Sequence, residues 1–141
     1  MNLDRIERDV WINAPAARVW ATLVEFSWVD DGHRRGVTPE SGERFVANSA
    51  EDGDYPIRIE KSEPPHYLAY RWASAFAGQE PGEGNSTLVE FTLTEEQGGT
   101  RLSVVETGFA TLPEQHRARA LEENTGGWEE QLDVLRKSVA A

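Results

Sequence analysis

Six short segments in which apolar residues alternate with other residues occupy most of the chain up to residue 109. Alternation with a period of two is typical of β-strands that bury one face and expose the other. The pattern predicts strands over residues 3–12, 43–48, 55–63, 66–73, 86–95 and 100–109. A sheet with one apolar face needs a cover from another element, because its apolar side chains must leave water.

The C-terminal stretch after residue 111 predicts a helix that can provide this cover. Its apolar residues recur at spacings of seven, four, three and four, which places them on one helical face; they are Leu121, Trp128, Leu132, Leu135 and Val139. Gly126 and Gly127 interrupt the pattern, and each costs about 1 kcal/mol relative to alanine in a helix interior. A close approach to the sheet, a kink, or a break between a short helix and the main helix would explain the two glycines.

A shorter helix is expected directly after the first strand. Pro15 suits the first turn of a helix, where its missing N–H has no intrahelical partner to lose. Val19, Leu23 and Phe26 then follow at helical spacing, and a further short helix is predicted over residues 28–35. The order of elements predicts a single α+β domain over residues 1–141, with a six- or seven-stranded antiparallel sheet packed on the C-terminal helix.

The stretch "EPPHYLAYRW" at residues 63–72 gives the predicted sheet an apolar wall. Leu68, Tyr70 and Trp72 share one face of this strand, since side chains alternate along an extended chain. We expect the wall to face the helical stripe that begins at Trp128.

Charge and composition argue against several classes of partner and cofactor. The net charge is −11, and only residues 33–36 are locally basic, so we expect no nucleic-acid binding. The chain has no cysteine and its three histidines lie in separate segments, so we expect no metal site. No glycine-rich phosphate-binding motif is present, and we expect no nucleotide or other cofactor.

The sequence also bears on location. No apolar run approaches the ~18 residues that a membrane-spanning helix needs, so we expect no membrane insertion. The charged N-terminal stretch lacks the apolar region of a signal peptide, and a cytoplasmic location is the default expectation.

Four motifs, in order along the chain, resemble the START-like helix-grip superfamily (SRPBCC). Within it they are similar to the group named for activators of the heat-shock-protein ATPase. The four motifs are "INAPAARVWATL", "EPPHYLAYRW" with Glu63 where the group has Asp, "TLVEFTLTEEQGGTRLSVVETGF", and "GGWEEQLDVL". The resemblance implies a curved antiparallel sheet that grips the C-terminal helix, with a cavity between them. Relatives use that cavity for lipids, sterols, polyketides and other apolar molecules, and some are cyclases or aromatases.

Seven residues are candidates for lining such a cavity, because ligand pockets are mostly apolar with a few placed polar groups. They are Trp28, Phe45, Tyr70, Trp72, Phe91, Glu106 and Trp128. The alternative for each aromatic residue is ordinary core packing. Glu106 shares the inward parity of Leu102 and Val104, and a buried carboxyl group has a raised pKa unless it is paired.

Three functions remain open on this basis. The first is a protein that binds an apolar or aromatic small molecule between the sheet and the C-terminal helix. The second is a cyclase- or hydrolase-like enzyme that uses Glu106, Tyr70 or His33 in the same cavity. The third is a co-chaperone-like or regulatory module that engages a protein through its acidic surface or residues 73–86. The sequence does not decide between a monomer and a homodimer.

Overall fold

Six strands and two α-helices make up the computed structural model, which describes residues 4–27, 39–49, 53–76 and 78–140. A single 3₁₀ turn, Phe109–Thr111, joins the last strand to the long helix. The elements are β1 (Arg5–Ile12), α1 (Ala16–Ser27), β2 (Arg44–Ser49), β3 (Gly53–Glu63), β4 (Tyr67–Trp72), β5 (Thr87–Glu96), β6 (Gly99–Thr107) and α2 (Glu114–Ala140). The predicted α+β helix-grip fold is confirmed. The helix predicted over residues 28–35 lies outside the described residues.

The strands form one antiparallel sheet in the order β1-β6-β5-β4-β3-β2. Consecutive strands from β2 to β6 are neighbours, whereas α1 and the connection after it carry the chain from β1 to the opposite edge. The long helix α2 packs most closely against β1 and also contacts α1. The apolar face of the sheet therefore lies beneath α2 on the β1 side and extends beyond it toward β2.

The Gly98–Gly99 pair between β5 and β6 predicts a tight hairpin turn with positive φ angles at the two glycines, and the structure differs from this in one respect. The positive φ angles fall on Gln97 (51°) and Gly98 (79°), not on the Gly98–Gly99 pair. Gly99 lies in β6, where a Cβ atom would come within 2.4 Å of the Ile12 carbonyl oxygen and 2.7 Å of the Trp11 ring. Glycine is needed there because of this close approach. The Trp11 indole N–H donates to the Glu96 carbonyl at 2.8 Å, so the residue that breaks the alternation in β1 ties this edge strand to the turn.

Helix α2 is continuous through its two glycines, so the predicted break between a short and a long helix is wrong. The predicted close approach to the sheet is also wrong, because a Cβ atom at Gly126 or Gly127 would meet no atom within 4 Å. The free-energy cost of the two glycines is therefore not offset by backbone packing.

Alanine at either glycine is expected to stabilise the protein by about 1 kcal/mol, because alanine loses less backbone entropy in a helix and fills open space here. Urea unfolding of Gly126→Ala and Gly127→Ala measures this gain. The two variants serve as controls for each other, since Gly126 is exposed and Gly127 is half-buried. A loss of stability at Gly127 alone would reveal a steric neighbour at that position.

Candidate functional site

Glu106 lies in the middle of the apolar face of the sheet. In the sheet register it stands beside Val89 of β5, which in turn stands beside Tyr70 of β4. The side chain has no exposed surface, although it is a carboxylate. The inward position predicted from the parity of β6 is therefore found, and the alternative that Glu106 reaches water is wrong.

Four side chains donate hydrogen bonds to the Glu106 carboxylate, and we call these five residues the Glu106 hub. Oxygen Oε2 accepts from the Trp72 indole N–H at 2.9 Å and from the Thr87 hydroxyl at 2.5 Å. Oxygen Oε1 accepts from the Trp128 indole N–H at 2.8 Å. The Asn124 amide lies 3.1 Å from both oxygens. The hub therefore joins three strands of the sheet to α2.

The hub contains no cation. Among the described residues, no arginine, lysine or histidine forms an ion pair with Glu106. Burial raises the pKa of Glu106 above its ordinary value of 4.5, and the hydrogen bonds from Thr87, Trp128, Trp72 and Asn124 oppose part of this rise. The indole and amide N–H groups that contact Glu106 only donate, so the Thr87 hydroxyl is the one of these four contacts that can accept a hydrogen bond from a neutral Glu106.

The raised pKa predicts how stability depends on pH. Because folded Glu106 holds its proton more tightly than the unfolded chain does, its contribution is complete below the unfolded pKa of about 4.3. That contribution is lost as the pH rises through the folded pKa. Glu106→Gln does not ionise, so the free energy of unfolding of the native protein minus that of the variant should fall as the pH rises, and then level off.

Urea unfolding of both proteins at a series of pH values measures this difference. A difference that grows with pH would instead mean that the four donors outweigh the loss of hydration, and that the pKa of Glu106 is lowered.

Five aromatic rings pack over the hub and form what we call the aromatic cluster. It consists of Tyr55, Tyr70, Trp72, Phe91 and Trp128, whose contacting rings have centroids 5.6 to 6.1 Å apart. Trp72 lies against Trp128 of α2, so the wall predicted on β4 does face the helical stripe. Tyr55 and Trp72 are half-buried, and the other three rings are buried.

Tyr70 is the polar member of the cluster that lacks a polar contact. Its side chain is only 3% exposed, yet its hydroxyl makes no hydrogen bond to another described residue. Burial, and secondly the charge of Glu106, raise the pKa of Tyr70 well above its ordinary value of 10.0. The phenol is therefore neutral at physiological pH and can donate a hydrogen bond.

The structure brings together five of the seven residues predicted from the sequence: Tyr70, Trp72, Phe91, Glu106 and Trp128. Phe45 is fully buried on β2 and lies on the same face, in a row with Ile57 and Trp72 across the sheet. Trp28 lies outside the described residues. Whether these residues bind a ligand stays a prediction.

Three residues around Glu106 were missed by the sequence reasoning, although simple periodicity reaches each of them. Thr87 has the parity of Val89 on β5, and Tyr55 has the parity of Ile57 on β3. Asn124 precedes Trp128 by four residues, which places both on one face of α2. Asn124 also donates to the Ser74 hydroxyl at 2.8 Å, which links the hub to the segment after β4.

From the sequence we expect neither a metal site nor a membrane-spanning helix. The described residues contain no cluster of histidine and acidic side chains with the arrangement of a metal site. None of the helices in the described part of the chain is long and apolar enough to cross a membrane.

The family model described as "Activator of Hsp90 ATPase homolog 1-like protein" matches residues 13–140. No curated protein matches the chain at a significant level. Among solved structures, protein MLL2253 from Mesorhizobium loti has a TM-score of 0.71 and 22% identity, with 94% of each chain covered.

Two other solved structures share the fold. DynU16, from the dynemicin biosynthetic locus, has a TM-score of 0.72 and 21% identity over 98% of this chain and 48% of its own length. The Aha1 dimer from Colwellia psychrerythraea has a TM-score of 0.69 and 17% identity over 96% of this chain and 95% of its own. At these identities the likeness concerns the fold alone.

Proposed function

The chain belongs to the Activator of Hsp90 ATPase homolog 1-like family, and on this fold we propose that it binds a flat, largely apolar small molecule at the aromatic cluster. Folds of this kind carry many functions, so the proposal depends on the site and not on the family description. The occurrence of DynU16 in the dynemicin biosynthetic locus is consistent with it.

The Tyr70 hydroxyl is the observation that carries the proposal. A buried phenol usually has a hydrogen-bond partner, and the Tyr70 hydroxyl keeps some accessible surface, since Ser62 Oγ is the one fully enclosed side-chain polar atom without a partner among the described residues. The described residues supply no partner to Tyr70. A ligand with an oxygen acceptor, such as a carbonyl group, would accept this hydrogen bond.

The shape of the fold supports the same place of binding. The backbone of α2 approaches the sheet most closely at β1, and its close contacts do not extend to β3 and β4. Tyr55 and Trp72 are half-buried at this side of the cluster. A flat ligand would lie against these two rings, and Phe45, in the same row across the sheet as Trp72, would extend the lining.

In this proposal Glu106 acts mainly through the rings that it holds. Its two oxygens already accept hydrogen bonds from four side chains, which fills most of the capacity of a carboxylate. The carboxylate fixes the orientation of the Trp72 and Trp128 indoles, and the faces of these indoles would form the wall that a ligand meets.

Tyr70→Phe tests the proposal, because it removes the hydroxyl and keeps the ring. Fluorenone and fluorene are suitable probes, since they share three flat rings and only fluorenone has a carbonyl oxygen. The native protein should bind fluorenone more tightly than fluorene by about fivefold to tenfold, the value of one net hydrogen bond. Tyr70→Phe should remove this preference and leave the affinity for fluorene unchanged. Quenching of tryptophan fluorescence measures both affinities.

Tyr67→Phe is the matched control, since Tyr67 lies on the same strand but hydrogen-bonds Glu90 on the other face. It should leave both affinities unchanged. The mass of the purified protein under native conditions, compared with its denatured mass, detects a ligand that co-purifies. If neither probe binds and no extra mass is present, ligand binding at this cluster is refuted.

A cyclase- or hydrolase-like activity in the same cluster is the second candidate, and the buried Glu106 with its raised pKa favours it. It predicts that turnover of a bound ligand is lost in Glu106→Gln while binding is kept. A protein-interaction role predicts a stable complex with another protein in the absence of a small ligand. A homodimer, which is the assembly named for the Colwellia psychrerythraea structure, predicts a stable complex of two copies of the chain. We place the protein in the cytoplasm in each case.

A further inference from the structure

We propose that the site selects ligands by charge and prefers a flat aromatic cation over a neutral or anionic molecule of the same shape. The inference rests on the proposed function, because it specifies which of the flat molecules that fit the aromatic cluster bind most tightly. Its basis is the combination of a buried carboxylate that has no cationic partner among the described residues with two indole rings that contact it through their N–H groups.

When ionised, Glu106 gives the hub a negative charge that no cation among the described residues neutralises. Glu106 has no exposed surface, and every group that contacts its oxygens is neutral. Hydrogen bonds from neutral donors stabilise an anion but leave its net charge in place. The field of this charge is weakly screened in a buried site, because electrostatic interactions are stronger there than in water.

The groups between the carboxylate and a bound ligand would be aromatic rings. The faces of tryptophan, tyrosine and phenylalanine rings carry partial negative charge and attract cations within about 6 Å. Trp72 and Trp128 each contact Glu106 through the indole N–H and contact each other through their rings. The indole N–H groups point at the carboxylate, so the ring faces are left for packing against neighbours and ligands.

The negative charge of the whole surface is a second source of preference for cations. The whole chain has a net charge of −11 and attracts cations to its surface. Salt screens that attraction, since the Debye length falls from about 10 Å at 0.1 M to about 3 Å at 1 M. Selection by Glu106 acts at short range in a buried site, so it should survive salt that removes the surface effect.

Three probes with the same three-ring skeleton test the inference: the 10-methylacridinium cation, neutral 9-anthracenemethanol and the anthracene-9-carboxylate anion. Titrations are made at the high-pH end of the profile described for Glu106, after the stability difference has levelled off and the carboxylate is ionised. The cation should bind about tenfold more tightly than the neutral probe, because the charge of Glu106 is weakly screened in a buried site and acts together with the ring faces. The anion should bind more weakly than the neutral probe. Both differences should persist at about 0.5 M salt.

Glu106→Gln removes the charge and keeps the ring faces, so it should reduce the preference for the cation from about tenfold to about threefold or less, with little change for the neutral probe itself. Glu95→Gln is the matched control, because Glu95 is an exposed acid on the adjacent strand β5. It should leave the order of the three probes unchanged. Should Glu106→Gln fail to fold, the native protein is titrated below the pH at which Glu106 ionises, where the preference for the cation should fall in the same way.

The results distinguish a failure of charge selection by Glu106 from a failure of ligand binding at the aromatic cluster. If the neutral probe binds but the cation gains nothing, or gains only what salt removes, charge selection by Glu106 is wrong and ligand binding stands. If fluorenone, fluorene and all three charged and neutral probes fail to bind, the proposed function itself is wrong.

Discussion

Replacing Trp128 with alanine is expected to lower the free energy of unfolding by roughly 3–5 kcal/mol, the usual range for a large aromatic residue in a core. Trp128 is 8% exposed, packs against Trp72 and Phe91, and hydrogen-bonds Glu106 at 2.8 Å. Alanine would leave a cavity between α2 and the sheet and remove one of the donors of a buried carboxylate. Urea unfolding followed by circular dichroism measures the loss.

Two further variants separate these contributions. Trp128→Phe keeps an aromatic ring and removes the indole N–H, so it should cost clearly less than alanine, at roughly 1–3 kcal/mol. Glu130→Ala changes an exposed residue on the opposite side of α2 and should stay within about 0.5 kcal/mol of the native protein. A loss below about 1 kcal/mol for Trp128→Ala would mean that the ring lines an open site and contributes little to the core.

Replacing Glu106 with leucine is the second change with a large expected effect. The indole N–H groups of Trp72 and Trp128 and the amide of Asn124 would lose their shared acceptor, and each unsatisfied buried donor costs roughly 1–3 kcal/mol. The gain from removing a buried charge offsets part of this loss. We expect a net destabilisation of roughly 3–5 kcal/mol, measured by urea unfolding.

The comparison with Glu106→Gln gives this prediction its specificity. Glutamine keeps one carbonyl acceptor and can donate to the Thr87 hydroxyl, so it should be less destabilising than leucine. Glu95→Leu is the surface control and should change stability by no more than about 0.5 kcal/mol. If Glu106→Leu were as stable as the native protein, the hydrogen bonds of the Glu106 hub would make no net contribution to the free energy of unfolding.

The periodicity of the sequence was sufficient for the secondary structure. Alternation along 86–95 and 100–109 predicted two of the strands within one or two residues of their observed ends, Thr87–Glu96 and Gly99–Thr107. It also predicted that Glu106 points inward. Sheet strands of this kind are readable because a period of two fixes which residues face the core, whatever the neighbouring strands are.

Local sequence was less informative where glycines occur together. The Gly126–Gly127 pair suggested a break in α2, but the helix continues, because the apolar stripe at Trp128, Leu132 and Leu135 holds it on the sheet. At the β5–β6 turn, the need for Gly99 comes from Trp11 and Ile12, which are almost ninety residues away in the sequence. Contacts of this kind have no signature within a short window.

The sequence by itself determined the α+β class, the six strands, the long helix and the inward position of Tyr70, Trp72, Phe91 and Trp128. Only the tertiary structure decided what Glu106 does, because its four donors come from β4, β5 and α2 and are as many as 34 residues away in the chain. A buried carboxylate is stabilised by hydrogen bonds whose geometry depends on how strands and helix pack. The same packing leaves the Tyr70 hydroxyl without a partner among the described residues, and that is where the candidate site begins.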